Sequence, residues 1–251
     1  MPLVKVEAIV IRTRDLSEAD RIVTLYSRER GKVRAVAKGA RSPRNRFSAL
    51  TQVPLHGHFS VFEGRGLASL SQGELVSSFR GVREDYTKTL YALFFAELID
   101  EMVEEGEASE PLFRLLLQSL KMVSSGDLRE LPKLSMAFQL KTMALLGYEI
   151  SLQRCARCGK GAASSTVFSA ELGGLVCSEC RDTVSDGLAL SGGVTKTLGR
   201  LLSDPPERLK GLQVSVRDVA SIDRVLRQFV DYRLPRPLRS RRFLEEEKFR
   251  L

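Results

Sequence analysis

Apolar and polar positions alternate from the start of the chain. Val4, Val6, Ala8 and Val10 take one face of a strand that runs to Arg12, and the polar turn Leu16–Asp20 separates it from a second strand, Arg21–Ser27. A tight connection at Arg28–Gly31 leads into a third strand, Lys32–Lys38. Leu50–Phe62 and Leu67–Phe79 complete five, with turn glycines at Gly64 and Gly66. From Val82 the period changes. Leu90, Leu93, Phe94, Leu98 and Met102 recur at three- and four-residue spacing, opposite an acidic stripe of Glu97, Asp100, Glu101 and Glu104 that is most simply a solvated face. Ser109-Glu110-Pro111 is a helix start leading into Phe113, Leu116, Leu117, Leu120 and Val123, and a third helix runs from about Pro132 to Leu146. Ser191 opens another, through Leu198, Leu201 and Leu202. Val219–Tyr232 carries an apolar stripe of Ile222, Val225, Leu226, Phe229 and Val230, and is expected to dock on the bundle of residues 82–146. The class predicted is α+β: an N-terminal five-stranded barrel over residues 1–80, a helical bundle from 81–150 and 191–251, and an insert at 151–190.

Charge sharpens the picture. The net of +8 is uneven: residues 1–80 carry +7, residues 81–150 carry −5 and residues 191–251 carry +6. The densest run is Arg28, Arg30, Lys32, Arg34, Lys38, Arg41, Arg44 and Arg46, broken only by one acid, Glu29. Such a strand and loop would repel itself in solution and suits a polyanion backbone, with no base specificity implied. Lys38, Arg41, Arg44 and Arg46 are expected to carry most of the phosphate contact, with Arg34 and Lys32 behind them. Five short strands with a long basic connection after the third fit an OB-fold, in which Tyr26, Phe47, Phe59 and Phe62 are available for base stacking or for the core. A second basic segment, Arg236, Arg239, Arg241 and Arg242, lies near the end and reads either as a disordered tail or as an extension of the barrel's basic surface.

The insert holds all four cysteines. Cys155-x-x-Cys158 and Cys177-x-x-Cys180 stand eighteen residues apart, the spacing of a four-thiolate zinc ribbon in which each pair forms a knuckle. Gly159 supplies the knuckle turn, and Gly173-Gly174 turns the hairpin between the pairs. Four protein ligands leave no open position, so the Zn²⁺ is expected to be structural. Two histidines only, His56 and His58, and no phosphate loop, dinucleotide fingerprint or nucleophile elbow argue against an enzyme. No stretch reaches membrane-spanning length and the N-terminus has no cationic region followed by an apolar run, so a cytoplasmic protein is expected.

Four runs in this order carry a resemblance: Val10–Tyr26 (VIRTRDLSEADRIVTLY), Gly31–Arg41 (GKVRAVAKGAR), Gly147-Tyr148 ahead of the first cysteine pair, and Pro237–Arg242 (PLRSRR). Together they resemble the bacterial recombination mediator family RecO over essentially the whole chain. The resemblance implies an OB domain, a helical domain and a zinc ribbon in a protein that binds single- and double-stranded DNA. It further implies annealing of complementary strands, and action with RecR and often RecF to load the RecA recombinase onto DNA coated by the single-stranded-DNA-binding protein SSB, whose acidic C-terminal tail is recruited. The residues alone leave open an RNA-binding factor built from an OB-fold and a zinc ribbon.

Overall fold

The computed structural model describes residues 2–64, 66–161 and 167–248. It divides into two compact units: one takes in the chain up to Leu131 and again from Leu238 onward, the other is Pro132–Pro237.

The first unit is built on a closed barrel of β1 (Leu3–Asp15), β2 (Arg21–Ser27), β3 (Gly31–Ala37), β4 (Leu55–Phe62) and β5 (Ala68–Ser77), in the order β1-β2-β3-β5-β4 and back to β1. Every pairing is antiparallel except β3 with β5, which meet in parallel at Ala35/Ala68 and Val36/Ser69. β1 serves two neighbours along thirteen residues because a bulge between Val10 and Arg12 lets it bend from one to the other. The alternating residues Val6, Ala8, Val10, Val23, Leu25, Ala35, Ala37, Phe59, Val61 and Leu70 fill the interior. Tyr26, Phe47 and Phe59 are core residues, while Phe62 is 38% exposed. The fourth strand is shorter than its apolar run suggests. Residues Arg46–Leu50 form a one-turn helix, α1, capped by the Asn45 side chain and plugging the barrel through Phe47, and a cis Val53–Pro54 bond precedes β4.

After β5 the chain turns at Phe79 (φ +47), whose ring is buried, into α2 (Arg80–Arg83), α3 (Tyr86–Met102) and α4 (Glu110–Ser125). Asp85 and Ser109 cap α3 and α4 through the N–H groups of Lys88 and Leu112. α3 buries Tyr91, Ala92, Phe94, Phe95, Leu98 and Ile99, more than one face, because it touches β1, α2, α4 and the last helix, α8 (Arg239–Lys248). The terminal basic segment is therefore helical and docked. The acidic stripe of α3 is not a solvated face either: the Asp100 and Glu101 side chains are 9% and 7% exposed and pair with Arg12, while Glu97 meets the start of α8.

The second unit opens on α5 (Leu131–Leu145) and holds a three-stranded sheet of β6 (Val167–Ser169), β7 (Gly174–Val176) and β8 (Leu188–Ala189), with β6 central. α6 (Gly192–Ser203), capped by Ser191, and α7 (Val216–Asp231), capped by Ser215, follow and pack on each other. Lys133 and Lys141 of α5 tie it to the chain around them by donating to the carbonyls of Leu212 (3.1 Å) and Leu202 (2.5 Å).

Candidate nucleic-acid interface and metal centre

The basic run separates into two groups once folded. Arg28, Arg30, Lys32 and Arg34 lie on the β2–β3 turn and β3, and each meets a carboxylate. Arg28 Nη1 is 2.7 Å from Glu7, and its guanidinium lies 5.5 Å from the Phe113 ring centroid. Arg30 is 3.9 Å from Glu63. Lys32 is the most enclosed, 14% exposed, with its ammonium donating to the Asp100 carbonyl at 2.7 Å and 3.8 Å from the Asp100 carboxylate. Arg34 pairs with Glu105. Glu105 arrives with the chain that leaves α3: it bridges to Lys32 in parallel, and the Gly106 N–H donates to the Lys32 carbonyl at 3.0 Å. Gly31 (φ +62) permits that approach, since a Cβ there would run into the Glu107 carbonyl.

Lys38, Arg41, Arg44 and Arg46 form the other group, on the loop from β3 into α1, and all four are exposed. Among the described residues the side chains of Lys38 and Arg44 make no ion pair or hydrogen bond, so their charges face solvent uncompensated. The loop itself is held. The Gly39 N–H donates to Asp20 Oδ1 at 2.8 Å, the Arg41 N–H to the Ala19 carbonyl at 3.0 Å and Arg41 Nη1 to the Ser17 carbonyl at 2.7 Å; Asp15 lies 3.5 Å from Arg41 Nε. Arg46 donates to the Ser71 carbonyl at 2.7 Å and lies 4.9 Å from the Phe47 ring centroid, which sets it upright on β5. A cationic loop whose backbone is already fixed loses little entropy on meeting a polyanion. The β1–β2 turn thus acts as its scaffold, a role that the periodicity hides; Asp15 and Asp20, flanking that turn, are the only sequence signal. Arg14, exposed at the same end of β1, adds a cation outside the basic run.

Arg239, Arg241 and Arg242 sit on α8, in the same unit as the barrel. The Arg239 N–H donates to Glu97 at 3.1 Å, Arg241 lies over Phe94 with 5.6 Å to the centroid, and Arg242 pairs with Glu246 at 3.0 Å along its own helix.

His56 is buried and structural. Its Nε2 is 3.0 Å from Glu7 Oε1, and its ring centroid is 6.2 Å from that of Phe113. Burial first, then the positive charge of Lys121 and neighbouring His58, lower its pKa against the opposing pull of Glu7.

The four cysteines converge as the spacing predicts. Their sulfurs all lie within 4.8 Å of one another, and Cys158 and Cys177 are 3.8 Å apart, the edge of a tetrahedron with bonds of about 2.3 Å. Gly159 takes φ +75 in the first knuckle and Gly173 φ +71 in the hairpin. The knuckle closes through Gly159 N–H to the Cys155 carbonyl (2.9 Å) and is stitched to β7 by Ala156 N–H to the Leu175 carbonyl (2.7 Å). Burial would raise the Cys155 thiol, but backbone N–H groups of Cys158, Cys177 and Arg157 outweigh it and bring it down to about 6. Burial and the adjoining sulfurs of Cys177 and Cys158 push Cys180 up to about 12. Four close sulfurs cannot all ionise without a cation among them, so the donor set fits one soft divalent metal.

Among the described residues no helix is long and apolar enough to cross a membrane. Two family models match the chain in tandem: Recombination protein O N terminal over residues 1–79 and Recombination protein O C terminal over residues 83–242. The first ends where the barrel ends. The chain is 42% identical to the DNA repair protein RecO of Symbiobacterium thermophilum over 248 residues, covering 98% of both chains. It is 39% identical to that of Pelotomaculum thermopropionicum over 98% of this chain and 94% of the relative, and 37% identical to that of Bacillus mycoides over 98% and 99%.

Proposed function

The chain belongs to the RecO family of DNA repair proteins, and from that premise we propose that it is a recombination mediator whose barrel holds DNA by its phosphates. The observation that carries this reading is the fixed, exposed loop of Lys38, Arg41, Arg44 and Arg46. A cationic surface that grips backbones and leaves base edges free lets two polyanions approach each other and still pair, which is what annealing of complementary strands requires. The same surface accepts single- and double-stranded DNA, since both offer phosphates. Arg34 stands at its margin. Arg28, Arg30 and Lys32 contribute through the positive potential of β3 more than through contact, because carboxylates already face them. Arg239, Arg241 and Arg242 extend the positive surface on α8.

In this reading residues 1–80 are the DNA-binding module. The four-cysteine ribbon of residues 151–190 is a structural module holding one Zn²⁺ through Cys155, Cys158, Cys177 and Cys180. Zinc would neutralise the thiolates and lock the two knuckles; no chemical step is assigned to it. The mediator role extends to RecR, the SSB C-terminal tail and in some settings RecF as partners in placing RecA on coated DNA, within the cytoplasm and nucleoid. The match to DNA repair relatives leaves the RNA-factor alternative without support.

The test is annealing of two complementary oligonucleotides coated with the cognate SSB, without ATP. The reading predicts acceleration by the wild type and none by a folded Lys38/Arg41/Arg44/Arg46 quadruple alanine variant. Acceleration by neither protein would overturn it.

A further inference from the structure

Tyr148, just past α5, and Tyr232, at the end of α7, are far apart in sequence yet flank a single guanidinium. Arg233 Cζ lies 5.6 Å from the Tyr148 ring centroid, 5.7 Å from that of Tyr232 and 4.2 Å from that of Phe229. The arginine is pinned. Its Nη1 donates to the Phe229 carbonyl at 2.9 Å and the Ala170 carbonyl at 3.0 Å. Gly173 leaves the room it fills, since a Cβ there would stand 2.7 Å from Nη2. Among the described residues no carboxylate pairs with it.

The three rings differ in one respect. Phe229 is 1% exposed and joins the core, T-shaped against Phe168 at 6.0 Å, whereas Tyr148 is 44% and Tyr232 59% exposed. Neither tyrosine hydroxyl makes a hydrogen bond among the described residues. Holding Arg233 needs only the two carbonyls and Phe229, so packing accounts for the buried ring and leaves the two exposed ones without a structural task. Each exposed ring lies beside a fixed cation while much of its surface stays open to solvent.

We infer that Tyr148 and Tyr232 form a stacking platform for unpaired bases of a single DNA strand, a second DNA contact on the Pro132–Pro237 unit. The inference rests on the DNA-binding reading above and adds a contact that reads bases rather than phosphates. A flat π-face beside a positive charge suits a nucleobase, and stacking tolerates any sequence. An acidic peptide is less well served, because the Arg233 donors that would grip a carboxylate already serve two carbonyls. A duplex keeps its bases stacked inside, so it gains nothing from the platform.

The test compares three labelled DNAs by fluorescence anisotropy: an oligothymidylate, an abasic strand with the same number of phosphates, and a duplex. Wild type should prefer the oligothymidylate over the abasic strand. Tyr148→Ala/Tyr232→Ala should lower oligothymidylate affinity by roughly tenfold per stacked base, leaving the abasic strand and duplex within about twofold. Tyr148→Phe/Tyr232→Phe should restore the preference, since the π-faces return. Thermal unfolding of both variants checks that the surface substitutions keep the fold. Undiminished base preference in the alanine variant overturns this inference and leaves the barrel reading standing. Equal losses for the oligothymidylate, abasic strand and duplex overturn it as well, since that result reports lost charge or shape. Loss of binding to an acidic aromatic peptide with unchanged oligothymidylate affinity overturns it in favour of a protein-docking site. No wild-type binding to any of the DNAs would remove the barrel reading and this one together.

Discussion

The Glu97 carboxylate accepts the backbone N–H of Ser240 at 2.8 Å, and it also takes the Ser240 hydroxyl and the Arg239 N–H. Leu238, which stands before α8, has no side-chain acceptor for those first N–H groups, so a residue of α3 supplies the cap and its negative charge. Glu97→Ala should therefore loosen α8 by about 1 kcal/mol. Hydrogen exchange should quicken over residues 239–248 and leave the β1–β4 ladder unchanged; equal exchange at 239–248 would refute the cap.

Gly31→Ala should be costly although it adds only one methyl group, because Gly31 is buried. Its φ of +62 and the Glu107 carbonyl facing it together predict about 1–3 kcal/mol or more of lost stability. Urea denaturation measures this directly, and a loss below about 0.5 kcal/mol would contradict the close approach.

His56 makes stability depend on pH. Its folded pKa is depressed by burial, so the unfolded chain binds the proton more readily. The stability it contributes is complete above its unfolded pKa of about 6.5 and falls as pH drops through that value toward the lower folded one. Denaturation at neutral and mildly acidic pH should show a decline that His56→Gln flattens. A steeper acid loss in the variant would contradict the assignment.

Metal removal should act locally. Chelation, or Cys177→Ser, should release one metal ion per chain and open the hairpin of β6 and β7, because both knuckles lose their common centre. Thiol titration together with hydrogen exchange would show it. Retention of the metal by the Cys177→Ser chain would contradict a four-sulfur site. DNA binding through the barrel loop should persist.

Some of this was legible in the residues and some was not. The strands were, because Val6, Ala8 and Val10 or Val23 and Leu25 each face one barrel core and a period of two records that. The four-cysteine cluster was too, because two Cys-x-x-Cys pairs state their geometry locally. The apolar run before β4 concealed α1, since Phe47 and Leu50 serve a one-turn plug as readily as a strand. The fate of Glu97, Asp100 and Glu101 was illegible for a different reason. Their partners, Ser240, Lys32 and Arg12, lie at least 68 residues away, and a helical stripe looks the same whether water or another element covers it. For the same reason the basic run reads as one surface, although folding divides it into the cations of β3 and its turn, each of which meets a carboxylate, and an exposed loop on which Lys38 and Arg44 face solvent unpaired.

The measurement that bears most directly on the barrel loop is the salt dependence of single-strand binding, wild type against the Lys38/Arg41/Arg44/Arg46 quadruple alanine variant. Each phosphate contact contributes about 0.7 to the slope of log affinity against log salt, so four lost contacts should flatten it by about 3. That result, in a variant with unchanged thermal unfolding, is what the account predicts. A weaker but parallel line, or an unchanged one, would place the DNA somewhere else on the protein.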